Sequence, residues 1–181
     1  MPNPHLNAIL DHLWPQNFRR WIKVCAVLDG ARDPRIFRAL ETTSLDKVCL
    51  YAGRLPLIIQ EVAPHLVVLE RDDKFTHFLL EEGWGQSWGI FLRTESPLPT
   101  VRRHFRGFLK VKDYAGRNLI FRWYDPRVLR VYLPTCTPDE LRTVFGPVDN
   151  FYMEGQIPAS LLDYRLEAGQ LKESPRNLLQ S

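Results

Sequence analysis

The stretch WIKVCAVLDGARDPR, Trp21–Arg35, contains the first clear strand and the first clear helix start of the chain. Trp21–Asp29 is a nearly continuous apolar run, which is typical of a strand buried on both faces of a sheet. Gly30 follows the run, and Asp33-Pro34 then provides an aspartate N-cap with a proline at the first helical position. The stretch therefore predicts one unit in which a strand is followed by a helix.

After this unit, short apolar runs alternate with helical patterns along the chain. Val48–Tyr51, Leu66–Leu69 and Gly89–Leu92 are predicted strands, a helical turn is expected after Pro56, and Lys74–Glu82 is a predicted helix. Strands that alternate with helices are typical of parallel sheets. We therefore expect an α/β fold with a mixed, largely parallel sheet and flanking helices.

The second half of the chain is predicted to contain a β-hairpin and short helices. Phe108–Asp113 and Asn118–Trp123 are candidate hairpin strands on either side of a turn. Asp125-Pro126 and Thr137–Glu140 are helix starts, the latter with the pattern of a capping box. Apolar periodicity fades after Asp149, and Gln170–Ser181 is predicted to be a tail.

The length of 181 residues corresponds to about one domain. Asp33–Arg38 and Asp125–Arg130 share the order Asp-Pro-Arg-apolar-apolar-Arg, which is a favourable helix start and also a hint of two related lobes. The expected division is an N-terminal helical extension at 1–20, a main domain at 21–149 with candidate lobes 21–92 and 93–149, and a C-terminal extension and tail at 150–181.

Composition narrows the class of protein. Hydrophobic residues make up 45% of the chain and charged residues 25%, as in globular domains. No apolar run is long enough to cross a bilayer, and the first residues do not resemble an export signal. The three cysteines are widely spaced, which argues against a disulfide framework. We expect a cytoplasmic protein with no membrane contact.

Positive charge is concentrated in residues 93–130, which hold 10 Lys or Arg against 3 Asp or Glu. Within this segment, Ser96-Pro97 begins a predicted amphipathic helix with Val101 and Phe105 on its apolar face and Arg102 and Arg106 on the other. Basic residues among aromatic ones are also found in nucleic-acid-binding proteins, so a nucleic-acid-binding module remains an alternative. Against it, the formal net charge of the whole chain is a modest +3.

Gly85–Gly89, with the sequence GQSWG, matches the G-x-S-x-G pattern around the catalytic serine of α/β hydrolases. A hydrolase-like enzyme that uses Ser87 is therefore a second alternative. The context is unfavourable, because that serine requires a strand before it and a helix after it. Here a predicted helix comes before Ser87 and a predicted strand follows, so no catalytic residue is assigned.

The sequence offers little support for a metal or a cofactor. The five histidines form no His-x-x-x-His pair, and no two cysteines are spaced as in a zinc site. Cys136 could be a nucleophile, although a free thiol in an apolar setting is more often structural. No glycine-rich phosphate loop is present. We therefore expect neither a metal nor a cofactor.

The stretch FRWYDPRVLR, Phe121–Arg130, together with Leu133–Thr137 and Phe145–Pro147, resembles the signature of the family known as domain of unknown function 4123, adaptor chaperones of bacterial type VI secretion. The resemblance extends over about Trp21–Asp149. From the residues alone, Arg122 is expected to pair with Asp125 or Asp29. Further blocks that agree in order are Val27–Ala31, Ala63–Val67, Gly83–Gly85, Trp88–Phe91 and Arg103–Arg106.

This resemblance implies a cytoplasmic adaptor without catalytic activity, which binds a toxic effector and loads it onto the valine-glycine repeat spike protein (VgrG) without being secreted. The implied partners are thus the effector and the spike, and no nucleic acid or membrane. Aromatic residues are expected to edge a cleft for the effector, and arginines to contact acidic groups of a partner. The expected partner-binding residues are Trp84, Trp88, Arg102, Arg106, Arg122, Trp123, Tyr124 and Arg127.

Overall fold

The computed structural model of the chain describes residues 4–112, 115–157 and 159–180. The helices in these residues are α1 (Leu6–Leu13), α2 (Pro34–Thr42), α3 (Leu57–Val62), α4 (Lys74–Glu82), α5 (Leu98–Arg106), α6 (Pro126–Tyr132) and α7 (Pro138–Phe145). The strands are β1 (Lys23–Asp29), β2 (Lys47–Cys49), β3 (Pro64–Leu69), β4 (Gly89–Thr94), β5 (Lys110–Lys112), β6 (Asn118–Ile120), β7 (Asn150–Glu154), β8 (Ser160–Glu167) and β9 (Gln170–Asn177).

The predicted helix starts are confirmed where a capping side chain was expected. The Asp33 carboxylate accepts a hydrogen bond from the backbone N–H of Arg35, and Asp125 does the same for Arg127. Thr137 and Glu140 form the complete capping box that their spacing predicts. The helix expected at Ser96-Pro97 begins at Leu98. These features depend on contacts within one turn, which the sequence specifies directly.

Seven strands form one sheet in the order β2-β3-β1-β4-β7-β8-β9, and every neighbouring pair is antiparallel. The prediction of a mixed, largely parallel sheet is therefore wrong. Since β1 and β2 both run antiparallel to β3, they share a direction, as the strand-helix-strand pattern suggested. However, β3 lies between them and supplies both with an antiparallel neighbour. Periodicity along one chain does not reveal such an insertion.

Helices cover both faces of this sheet, so it has two hydrophobic cores. On what we call the front face, Val24, Ala26 and Leu28 of β1 pack with α1, α2 and α4. On the back face, Cys25 and Val27 pack with α5, α6 and α7. Alternate residues of β1 thus face different cores, which explains why the strand is apolar throughout.

The prediction that Gln170–Ser181 is a tail is wrong for Gln170–Asn177, which forms β9 and pairs with β8 along its whole length. Ser181 lies outside the described residues. β8 and β9 are joined by a two-residue turn, Ala168-Gly169, in which both residues have positive φ. β9 escaped prediction because an edge strand needs few apolar residues, and its side chains are mostly exposed.

Two features bear on the expected domain boundaries. The 92–93 boundary between candidate lobes falls inside β4, and β7, which follows residue 149, pairs directly with β4. The predicted hairpin of the second half is confirmed as β5 and β6, which form a separate two-stranded sheet. Asp113 and Tyr114, which belong to the predicted hairpin, lie outside the described residues.

Candidate partner-binding site

The carboxyl end of β1 carries a buried charge pair. The side chain of Asp29 is fully buried, and its carboxylate accepts hydrogen bonds from the backbone N–H of Ala31 and from the guanidinium of Arg122. Arg122 is half-exposed. Of the two partners expected for Arg122, the structure selects Asp29. This pair ties the segment after β6 to the end of β1.

A second charge pair opens α6. Arg127 binds Asp125 in bidentate fashion, with Nε 3.0 Å from Oδ1 and Nη2 2.6 Å from Oδ2. Burial acts to raise the pKa of Asp125, but the hydrogen bonds from Arg127 outweigh it and the pKa is lowered. Asp125 is therefore a carboxylate, which caps the start of α6 and binds the guanidinium of Arg127. Arg122 and Arg127, both expected to bind a partner, are each engaged by an internal carboxylate.

The GQSWG loop curls around a buried carboxylate of β7. Glu154 accepts hydrogen bonds from the backbone N–H of Gly85 at 2.6 Å, from the N–H of Ser87 at 3.0 Å and from the Ser87 hydroxyl at 3.0 Å. Burial raises the pKa of Glu154, and these hydrogen bonds oppose that shift. Gly85 and Ser87 both have positive φ, as this tight curl requires. Within the described residues, no histidine hydrogen-bonds to Ser87.

The four aromatic residues expected to edge one cleft lie in two different cores. Trp84 and Trp88 are buried in the front core, where Trp88 packs 5.6 Å from Phe78 between ring centroids. Trp123 and Tyr124 are buried in the back core, on the other side of the sheet. The exposed fraction of each of the four is 8% or less. The structure therefore does not bring them together, and their contact with a partner stays a prediction.

The arginines of α5 have unequal settings. Arg106 donates hydrogen bonds to three backbone carbonyls, those of Cys49 at 3.1 Å, Leu50 at 3.0 Å and Tyr51 at 2.9 Å. Leu50 donates its N–H to the carbonyl of Pro64, but proline has no N–H to return, so the carbonyl of Leu50 is left for Arg106. Arg106 thus fixes the chain after β2.

Arg102, one turn earlier in α5, is half-buried. Burial lowers the pKa of Arg106, and the nearby charge of Arg102 lowers it further. The two guanidinium groups therefore share one region of positive potential beside the end of β2. Of the pair, Arg102 has no hydrogen bond or ion pair to another described residue.

Next to Arg106 lies a mainly apolar hollow of about 410 Å³, which we call the groove. Its apolar lining comes from Leu50, Tyr51, Leu55, Leu109 and Ile120. A second hollow of about 340 Å³ adjoins it and shares Tyr51, Leu55 and Arg106. A larger hollow of about 640 Å³ borders α2 and α4, but most of the residues around it are polar.

Large apolar side chains are exposed on two elements beside the groove. Of the 11 large hydrophobic residues exposed in the described part of the chain, seven lie on α3 or on the β5–β6 hairpin. None of the residues of α3 is buried. We call this set the apolar patch, and its members are Leu57, Ile58, Ile59 and Val62 of α3, and Val111, Leu119 and Ile120 of the hairpin.

The sequence contained a signal for this patch that was not used. Leu57, Ile58 and Ile59 are consecutive, so they point in different directions around a helix and cannot all face one core. In a helix as short as α3, such a run has to leave apolar surface exposed. The sequence predicts a helical turn after Pro56, but its pattern alone indicates no role for that turn.

Cys136 shows no sign of activation. Its thiol lies 3.4 Å from the backbone oxygen of Tyr132 and donates to it, and burial raises its pKa. A raised pKa keeps the group as a thiol, which is a poor nucleophile. In the ranges that the structure describes, no cluster of three or more His, Cys, Asp or Glu side chains could hold a metal ion.

The model of one protein family, described as "Domain of unknown function (DUF4123)", matches residues 24–143. The chain belongs to this family. The match begins in β1 and ends in α7, so it includes both charge pairs, the groove and the apolar patch. It leaves out α1 and the strands β7, β8 and β9. The family predicted from Phe121–Arg130 is confirmed.

No curated protein and no solved structure matches the chain. None of the helices within residues 4–112, 115–157 and 159–180 has the length and apolar character needed to cross a bilayer.

Proposed function

We propose that the protein is a cytoplasmic adaptor without catalytic activity, which binds a type VI secretion effector and helps load it onto the VgrG spike without being secreted. The observation that carries the proposal is the apolar patch on α3 and the hairpin. A concentration of large exposed apolar side chains on two short elements is uncommon on a protein that works alone and marks sites where another macromolecule binds. An adaptor needs such a surface, because most of its binding energy comes from a few buried apolar contacts.

The candidate reactive groups add support by having other roles. The Ser87 hydroxyl donates to Glu154 and helps shape the loop before β4. The Cys136 thiol donates to a backbone carbonyl of the preceding helix, and its pKa is raised. Glu154 also accepts hydrogen bonds from the backbone N–H groups of Gly85 and Ser87, so its contact with the Ser87 hydroxyl is part of the structure of this loop.

The basic segment 93–130 is less available to nucleic acid than its composition suggested. At least half of its ten Lys and Arg residues donate to protein acceptors, either backbone carbonyls or buried carboxylates, and so do not form an open field of positive charge. These residues are Arg93, Arg106, Arg122, Arg127 and Arg130. A protein partner is therefore the better proposal for this face.

The proposal can be tested by co-expression of the affinity-tagged chain with a type VI effector and VgrG from the same cell. We expect the effector to be retained by the wild type, and retention to fall about ten-fold for Ile58→Asp, since a charge in an apolar interface is costly. Leu179→Asp is the matched control, because Leu179 is as exposed as Ile58 and follows the opposite edge strand of the sheet. Failure of the wild type to retain either partner would contradict the proposal.

A further inference from the structure

The groove combines an apolar floor with a basic rim. Arg54, Arg106 and Lys110 line the two adjoining hollows, and no Asp or Glu is among the residues that line them. Arg54 and Lys110 are exposed, and neither has an ion-pair partner within the described residues. The rim therefore favours an occupant that carries negative charge beside its apolar groups.

Arg106 limits the ways in which a partner can bind beside β2. β2 is an edge strand, which in other proteins is a site where a partner adds a strand by backbone hydrogen bonds. Arg106 already donates to the backbone carbonyls of Cys49, Leu50 and Tyr51, where β2 ends and the chain continues past the groove. A strand added alongside Cys49–Tyr51 would therefore lack these acceptors, so we expect an occupant of the groove to be recognised by its side chains.

The apolar patch shows what kind of side-chain surface fits. Ile120 of the hairpin and Leu55, which precedes α3, line the groove, and Gln60 of α3 lines the adjoining hollow. An occupant that extends over both hollows therefore meets the apolar side chains of Leu55 and Ile120 and reaches α3. A helix with one apolar stripe presents three or four such side chains over two turns.

We infer that the groove binds an amphipathic helix of the partner, with its apolar face on Leu55 and Ile120 and its acidic side chains toward Arg54 and Lys110. The inference rests on the proposed function only in assigning this helix to the effector. The apolar contacts supply most of the affinity, whereas the exposed rim charges select the sign of the partner and contribute less.

The probes are two fluorescein-labelled designed peptides of about five helical turns, with the same leucine stripe and either Glu or Lys at the flanking positions. Fluorescence anisotropy with the purified full chain measures their affinities. We expect the Glu peptide to bind about ten-fold more tightly than the Lys peptide at low salt, and the difference to shrink as salt rises. Equal affinities, or no binding by either peptide, would overturn the inference.

Charge reversal at the rim separates specific recognition from general attraction. Arg54→Glu should weaken the Glu peptide and strengthen the Lys peptide, each by about three-fold. Arg20→Glu is the matched control, because Arg20 is exposed and precedes β1, at the opposite end of that strand from Asp29. If Arg20→Glu shifts both affinities as much as Arg54→Glu does, net charge is responsible and the rim is not a site.

Variants of the apolar floor test the groove itself. Ile120 is exposed, so Ile120→Asp is expected to fold normally and to weaken the Glu peptide about ten-fold, whereas Leu179→Asp leaves its affinity unchanged. Light scattering of the free chain tests whether a second copy of the chain occupies the groove instead. Concentration-dependent dimers that Ile120→Asp abolishes would overturn the inference in favour of a second copy of the chain.

The two proposals fail in different ways. If the effector co-purifies but Ile120→Asp and Arg54→Glu leave its retention unchanged, the adaptor function stands and the groove is not where the effector binds. If the Glu peptide binds as expected but no effector is retained, the groove binds an acidic amphipathic helix and the adaptor function is wrong.

Discussion

Two neighbouring regions of the molecule use their exposed residues in opposite ways. At the charged end of the sheet, Arg122 and Arg127 are half-exposed, but both are held by the buried carboxylates of Asp29 and Asp125. On the apolar patch, Ile58 and Ile120 are exposed and pack into neither core. The charged groups of the first region have partners within the chain, whereas the described residues leave the second region uncovered.

This difference separates folding residues from binding residues. The signature stretch Phe121–Arg130, which points most clearly to the family, mainly connects β1, the hairpin and α6. The apolar patch contains no recognisable sequence motif, yet it is the surface that the other described residues leave uncovered. Changes to the charged end should therefore act on stability, and changes to the patch should act on binding.

The largest effect is expected for Arg122→Ala, which leaves the fully buried Asp29 carboxylate without its cation. We expect the free energy of unfolding to fall by about 3 kcal/mol, the lower end of the range for broken buried ion pairs, because Arg122 is half-exposed. Urea denaturation measures the change, and Arg20→Ala, at an exposed site, should stay within about 0.5 kcal/mol of the wild type. If the variant keeps the stability of the wild type but loses partner binding, Arg122 is a binding residue and does not stabilise the fold.

A smaller effect is expected for Glu154→Gln, because an amide offers one acceptor oxygen where the carboxyl group, ionised or protonated, has two oxygens. At least one of the N–H groups of Gly85 and Ser87 then loses its partner, which should lower the free energy of unfolding by about 2 kcal/mol. Folding raises the pKa of Glu154. Its contribution to stability is therefore fully present below the pKa of the unfolded carboxyl group and is lost as the pH rises through the pKa of the folded protein. The difference between variant and wild type should thus be larger near pH 4 than near pH 8.

The matched control for this variant is Glu70→Gln, since Glu70 is exposed and its side chain makes no hydrogen bond or ion pair within the described residues. It should leave stability unchanged at both pH values. If the two variants behave alike, Glu154 does not hold the loop before β4.

Asp125→Asn should have a still smaller effect with the opposite pH dependence. Loss of the charged cap and of its bidentate bond to Arg127 is expected to lower the free energy of unfolding by about 1 kcal/mol at neutral pH. The lowered pKa of Asp125 means that its stabilisation is present above the pKa of the unfolded carboxyl and is lost as the pH falls through the folded value. Equal differences at pH 7 and below about pH 3 would contradict this role.

The smallest effect on stability is expected on the apolar patch. Ile58→Asp should change the free energy of unfolding by less than about 0.5 kcal/mol, because the side chain is 69% exposed. Ile36→Ala is the contrasting control, since Ile36 is fully buried on α2 and its truncation should cost about 3 kcal/mol. A large loss of stability in Ile58→Asp would mean that α3 packs more closely than the structure shows.

The parts of the fold that the sequence predicts well are those set by neighbours along the chain. The caps at Asp33, Asp125 and Thr137 and the β5–β6 hairpin need contacts over a few residues, and all are confirmed. Strand direction in the large sheet was wrong, because the position of β3 between β1 and β2 depends on contacts far apart in the chain. β9 was missed because edge strands are polar.

Prediction of the candidate site from the sequence was limited in the same way, by contacts between distant parts of the chain. Internal pairing of Arg122 was anticipated with either Asp29 or Asp125, because hydrogen bonds from arginine to a carboxylate are strong, and the partner in the structure is Asp29. The tryptophans Trp84, Trp88 and Trp123 could not be assigned to one face of the sheet without knowing its topology. The apolar patch was predictable only in part, because exposure of Leu57–Ile59 depends on what the rest of the chain leaves uncovered.

In the proposed function, the partner covers α3 and the hairpin. Hydrogen–deuterium exchange of the chain with and without a bound type VI effector tests this arrangement most directly. We expect slower exchange in Leu57–Val62 and Asn118–Ile120, with little change in the loop at Gly85–Ser87 and in Pro126–Tyr132. Protection confined to the loop and to Pro126–Tyr132, with α3 and the hairpin unchanged, would contradict the account.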